Sequence, residues 1–129
     1  MANQPALILI ADDEIDVLAV YKEKLEQAGF SVITAPNGEE AIKIAAVRRP
    51  DLILMDMKMP VMDGVSAQQK LRADPKTKDL KVVFLTAFSD PMRHDVDVNL
   101  AKESGALDFI KKGINLDEFI AKVKGYLGG

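Results

Sequence analysis

The sequence predicts an α/β fold: a single doubly wound (βα)5 domain, with a five-stranded parallel sheet and helices on both faces. Three observations predict it. Strand-sized apolar runs alternate with helix-period patterns along the whole chain. The 129 residues suit one domain, with no repeat, low-complexity tract or linker to divide them. Four of the apolar runs end on a reactive polar side chain, as strands converging on one sheet edge would.

Leu7-Ile8-Leu9-Ile10-Ala11 is the first strand and runs into Asp12-Asp13. A helix follows, with Ile15, Leu18, Ala19, Leu25 and Ala28 on one face and Gly29 as its stop. Val32, Ile33 and Ala35 form a short second strand. Asn37 caps the next helix, with Glu40 placed for a capping box; Ala41, Ile42, Ala45 and Ala46 face inward, and Pro50 lies beyond its end. Leu52-Ile53-Leu54-Met55 runs into Asp56, then a loop containing Pro60 and Asp63-Gly64. Leu71 marks a weakly patterned third helix that ends near Asp74-Pro75. The fourth strand, Lys81 to Leu85, runs into Thr86.

Residues 89–104 carry the least distinct pattern: Ser89 or Asp90 as a cap, Pro91 in a first turn, Met92, Val96 and Leu100 at helical spacing, and Gly105 as a stop. The last strand, Leu107 to Lys111, leads to Lys112. Asn115 caps a final helix whose stripe is Leu116, Phe119, Ile120, Val123 and Leu127.

Composition removes several function classes. There is no cysteine, hence no disulfide and no thiolate metal site. Seventeen basic and 20 acidic residues give a net charge of −3, without the basic stripe of a nucleic-acid binder. No apolar run approaches the ~18 residues of a membrane span. Residues 1–5 lack the basic-then-apolar order of a signal peptide. A soluble cytoplasmic protein without direct nucleic-acid or membrane contact is expected.

Right-handed crossovers place all strand C-termini of a parallel sheet on one edge. Asp12, Asp13, Asp56, Thr86 and Lys112 therefore meet there. Two carboxylates ~4 Å apart repel by roughly 4 kcal/mol at an effective dielectric of 20. One lysine cannot neutralise three acids. Protonation of one acid is one remedy; a hard divalent cation held by oxygen ligands, with Mg2+ favoured, is the better one. A carboxylate can also act as nucleophile and form an acyl phosphate. Asp56 stands alone on a middle strand and suits that role, while Asp12 and Asp13 suit the ion. Lys112 would add charge and Thr86 a hydrogen-bond donor. No glycine-rich phosphate loop is present. Taken singly, Asp13 is a helix cap, Thr86 a strand residue, Lys112 a surface lysine and Phe109 a core residue. Only their joint pattern argues for a site.

From Leu7 to Leu127 the chain resembles the receiver domain of two-component response regulators. The motifs are Ala11-Asp12-Asp13-Glu14, Leu54-Met55-Asp56-Met57-Lys58-Met59-Pro60-Val61-Met62-Asp63-Gly64, Leu85-Thr86-Ala87 and Gly105-Ala106-Leu107-Asp108-Phe109-Ile110-Lys111-Lys112. The resemblance implies a receiver domain over residues 1–129, with its core at 6–127, and the strand order 2-1-3-4-5. It implies that Asp56 accepts a phosphoryl group from a sensor histidine kinase or histidine phosphotransfer protein. Mg2+ would bind Asp13 and Asp56 directly, Asp12 through water, and the backbone carbonyl of Lys58. Lys112 would pair with the phosphoryl group, Thr86 would move to bond it, and Phe109 would follow inward as the switch aromatic. A downstream effector would bind the face made by the helix expected at 89–104, the last strand and the last helix; a weak homodimer is a further option. No output domain is expected after Gly129.

Two positions depart from the family pattern. Gly113 follows Lys112 where proline is usual, and a cis Lys-Gly bond would cost roughly 2.5–4 kcal/mol. Thr86 and Lys112 also stand a few residues further apart than usual. Lys58 and Phe88, each two residues past a site residue, flank the path of attacking water in this family; their bulk predicts a long-lived phosphoryl state. The alternatives are a pseudo-receiver that binds partners unphosphorylated, favoured only by Gly113, and a magnesium-dependent aspartyl-phosphate phosphatase. Dehalogenase-like phosphatases carry a second acid two residues after the nucleophile, where this chain has Lys58.

Overall fold

The computed structural model describes residues 4–86, 103 and 105–128. Its strands are β1 (Leu7–Ala11), β2 (Ser31–Ala35), β3 (Leu52–Asp56), β4 (Val82–Thr86) and β5 (Asp108–Lys111). Among the described residues the helices are α1 (Ile15–Gln27), α2 (Gly38–Arg48), α3 (Gly64–Ala73) and α4 (Leu116–Tyr126). The strands form one parallel sheet in the order β2-β1-β3-β4-β5, as the family resemblance implied. The helix expected at 89–104, with Ala87, Phe88 and His94, lies outside the described residues.

Every residue of β3 and β4 is buried, as interior strands covered on both faces must be. Their side chains alternate between two cores. Leu9, Ala11, Ile53, Met55, Val82 and Phe84 point to one face, against Ala41 and Ala45 of α2 and Ala67 and Leu71 of α3. Ile8, Ile10, Leu52, Leu54, Val83, Leu85 and Ile110 point to the other, against Tyr21 and Leu25 of α1 and Phe119 and Val123 of α4. Met55 and Met57 are buried, and Met59 and Met62 pack against the first core, so these four methionines serve packing.

The expected caps form. Asn37 Oδ1 accepts from the Glu40 amide at 2.9 Å, and Asn115 Oδ1 from the amides of Asp117 and Glu118 at 2.8 and 3.2 Å. The inward face of α1 differs from expectation. Ile15 is 80% exposed and Ala19 is exposed, whereas Tyr21 and Leu25 are buried. At 100° per residue, Ile15 and Ala19 lie roughly 80–160° around the helix from the Tyr21–Leu25 line. Tyr21 stacks on Phe119 with ring centroids 4.6 Å apart, and this contact with α4 fixes the rotation of α1. No helix among the described residues is long and apolar enough to cross a membrane.

Candidate functional site

The C-terminal edge of the sheet gathers the expected side chains. Asp12 follows β1, Asp56 ends β3, Thr86 ends β4 and Lys112 follows β5. Asp12, Asp56 and Thr86 are 0, 6 and 5% exposed, so these polar groups are held inside the fold. The Lys112 amide donates to the Thr86 carbonyl at 2.7 Å, which carries the β4–β5 ladder one residue past the strand end. Asp12 Oδ1 accepts from the Glu14 amide at 2.9 Å. Glu14, not Asp13, is the N-cap of α1, and it makes no side-chain cap bond. Capping therefore does not account for Asp13, whose side chain is exposed beside the two buried acids. One carboxylate oxygen from each of Asp12, Asp13 and Asp56 lies within 4.8 Å of the others.

Lys112 closes the site. Its Nζ is 2.8 Å from Asp12 Oδ2, 3.1 Å from Asp56 Oδ2 and 3.1 Å from Glu14 Oε1. Gly113 aims it without proline. The Ile114 amide donates to the Lys111 carbonyl at 3.2 Å, and Gly113 at φ 88° fills the third position of this turn, the type II pattern that requires positive φ. No peptide bond among the described residues is cis. Gly64 shapes the opposite wall: a Cβ there would collide with the Asp56 carbonyl oxygen. Asp63 caps α3 through the Ser66 amide at 2.7 Å, so Asp63-Gly64 combines a cap with close approach to the Asp56 backbone. Between them and Asp56, Val61 adopts φ 68° and the Met62 amide donates to the Pro60 carbonyl at 2.7 Å. A β-branched residue held there stores of order 1–3 kcal/mol of backbone strain beside the site.

The sequence model of the response regulator receiver domain matches residues 8–124. The transcriptional regulatory protein PrrA of Mycobacterium tuberculosis is 42% identical over 121 residues, covering 93% of this chain and 49% of that protein. The chain belongs to the response regulator receiver family. It spans about half the length of PrrA and 98% of the polar-differentiation response regulator DivK of Brucella anthropi, which is 32% identical over 96% of this chain. The receiver domain of a sensor histidine kinase from Pseudomonas aeruginosa superposes with a TM-score of 0.86 at 26% identity, covering 97% of this chain and 99% of that one. That structure carries a magnesium ion in its active-site cleft.

Receiver domains bind magnesium in an acidic pocket at this sheet edge, and the donors of this chain fit such an ion. All three are carboxylates, as a hard cation prefers. Asp12 Oδ2 is buried and, although Lys112 Nζ is close, no hydrogen bond is aligned on it. One ammonium faces all three carboxylates, so the cluster keeps an excess of negative charge that a cation would offset. Lys58 contributes its amide, 3.5 Å from Asp56 Oδ1 and at the long limit of a hydrogen bond.

The charges of the receiver site pull in both directions. Burial, then the nearby charge of Asp12, push the Asp56 carboxyl up to about 6, and Lys112 offsets only part of the rise. Burial opposes the charge on Lys112, but its contacts with Asp12 and Asp56 outweigh that and hold the ammonium above the ordinary lysine range. Phe109 is half-buried and stacked on Phe84, with centroids 6.3 Å apart. Lys111 is exposed.

Two contacts escaped the sequence. Glu14 pairs with Lys112; its only signal was its place directly after the acid pair. The Tyr126 hydroxyl donates to Asp108 Oδ2 at 2.6 Å, tying α4 to the start of β5. Burial, with that bond second, raises the tyrosine above its usual range.

Proposed function

We propose that this chain is a phosphoacceptor module in which Asp56 takes a phosphoryl group from a phosphohistidine on a sensor histidine kinase or phosphotransfer protein, in the cytoplasm. The observation that carries the proposal is the placement of Lys112 Nζ, 3.1 Å from Asp56 Oδ2, beside a three-carboxylate cluster on a receiver fold. An Asp56 oxygen forms the bond to phosphorus as the phosphorus–nitrogen bond of the donor breaks. The electron pair leaves with the imidazole, which keeps or gains a proton. Asp12, Asp13, Asp56 and the Lys58 carbonyl would hold Mg2+, which supplies charge neutralisation to the transferring group. Lys112 orients and neutralises one phosphoryl oxygen, and Thr86 offers its hydroxyl to another. The phosphoryl group then favours one of two pre-existing states, with Thr86 and Phe109 as the parts that move. The effector face follows as β5, α4 and the segment between β4 and β5.

The experiment is intact-mass spectrometry after incubation with Mg2+ and acetyl phosphate. The wild type gains one phosphoryl group, and Asp56→Asn gains none. Equal labelling of both would exclude Asp56 as the acceptor. Rapid turnover of a phosphoester would instead favour the phosphatase chemistry that Lys58, standing where a second acid would act, argues against.

A further inference from the structure

We propose that Glu14 is a positioning residue: its carboxylate accepts a hydrogen bond from the Lys112 ammonium at 3.1 Å and gives that donor up to the arriving phosphoryl group. This rests on the phosphoacceptor role of Asp56. An ammonium has three N–H donors and no more. Three carboxylate oxygens surround this one, at 2.8 Å (Asp12), 3.1 Å (Asp56) and 3.1 Å (Glu14). A phosphoryl oxygen on Asp56 that pairs with Lys112 competes with these oxygens for the ammonium, and the contact that yields is the one least costly to break.

Burial decides which. The Asp12 and Asp56 side chains are 0 and 8% exposed, while that of Glu14 is 60% exposed. Releasing Asp12 would strand a buried charge. Releasing Glu14 returns a carboxylate to water, where it is well solvated. The backbone of Glu14 is anchored as the N-cap of α1 and by the hydrogen bond its N–H donates to Asp12 Oδ1, so its side chain can leave without moving the site. Until then Glu14 holds the lysine in register over Asp56. It also opposes phosphoryl uptake, by competing for the ammonium and by placing a negative charge near an incoming dianion.

The test compares wild type with Glu14→Gln and with Asp16→Asn. Asp16 is an acid in the first turn of the same helix and is not among the ion-pair partners of Lys112. Two quantities are read: hydrogen exchange of the Lys112 ammonium by 15N NMR in metal-free protein, and the rate of phosphoryl uptake from acetyl phosphate with Mg2+. Glu14→Gln speeds both roughly two- to fivefold, the worth of an exposed ion pair. The gain in uptake shrinks when salt is raised to about 0.5 M. Asp16→Asn changes neither. Unchanged or slower exchange or uptake in Glu14→Gln, or an equal gain in Asp16→Asn, overturns the proposal. If the wild type takes up no phosphoryl group, the acceptor role of Asp56 fails instead, and ammonium exchange alone still decides whether Glu14 holds Lys112.

Discussion

Lys112 Nζ and Asp56 Oδ2 lie 3.1 Å apart, although 56 positions of chain separate the residues. The parallel sheet makes the contact: β3 and β5 flank β4, and both chain segments emerge at the same edge. Lys112 is the one cation paired with the buried acids among the described residues.

Removing that cation exposes the repulsion it offsets. Lys112→Met lowers the stability of metal-free protein at neutral pH by about 1–3 kcal/mol, the cost of leaving buried charged partners unmet. Urea unfolding checks this. The loss is smaller in saturating Mg2+ and smaller near pH 5, where Asp56 is protonated.

The raised carboxyl of Asp56 gives a pH signature. Its folded value, about 6, lies above its ordinary 3.8, so the folded state holds the proton more tightly than the unfolded one. Its contribution to stability is complete below pH 3.8 and is lost as pH rises through about 6. Asp56→Asn removes that loss. Relative to wild type, the variant gains about 1–3 kcal/mol between acid and neutral pH, measured without metal. Mg2+ affinity of the wild type falls as pH drops below about 6, because protons and cation compete for the same oxygen.

Two glycines beside the site predict opposite degrees of damage. A Cβ on Gly113 meets nothing within 4 Å, so Gly113→Ala carries only the backbone cost of positive φ. That cost is about 1 kcal/mol. Gly64→Ala drives a Cβ into the Asp56 carbonyl, and the backbone must shift. Thermal unfolding shows a larger loss for Gly64→Ala, about 2 kcal/mol or more. Phosphoryl uptake also falls further in that variant.

Lys58 is exposed two residues past Asp56, and Phe88 holds the matching place past Thr86, outside the described residues. Replacing both with alanine opens the path of attacking water and shortens the phosphoryl lifetime, followed by loss of the added mass over time. An equal or longer lifetime contradicts that shielding role.

The sheet was legible because β1, β3 and β4 are buried on both faces and therefore read as continuous apolar runs. The site was legible because topology alone carries Asp12, Asp56, Thr86 and Lys112 to one edge. The face of α1 was not. Ile15 and Ala19 are apolar yet exposed, and Tyr21, which sets the rotation through Phe119, has a polar tip that hid it from an apolar stripe. Glu14 was missed because its partner lies 98 positions away, and only the folded edge brings the two together. The aim of Lys112 depended on a turn, and Gly113 specifies that turn through a backbone angle rather than a side chain.

The most direct measurement is intact mass after treatment with Mg2+ and acetyl phosphate, for wild type and Asp56→Asn side by side. One added phosphoryl group on the wild type, absent from the variant and absent without Mg2+, is the predicted result. An unmodified wild type, or equal modification of both proteins, would contradict a phosphoacceptor role for Asp56.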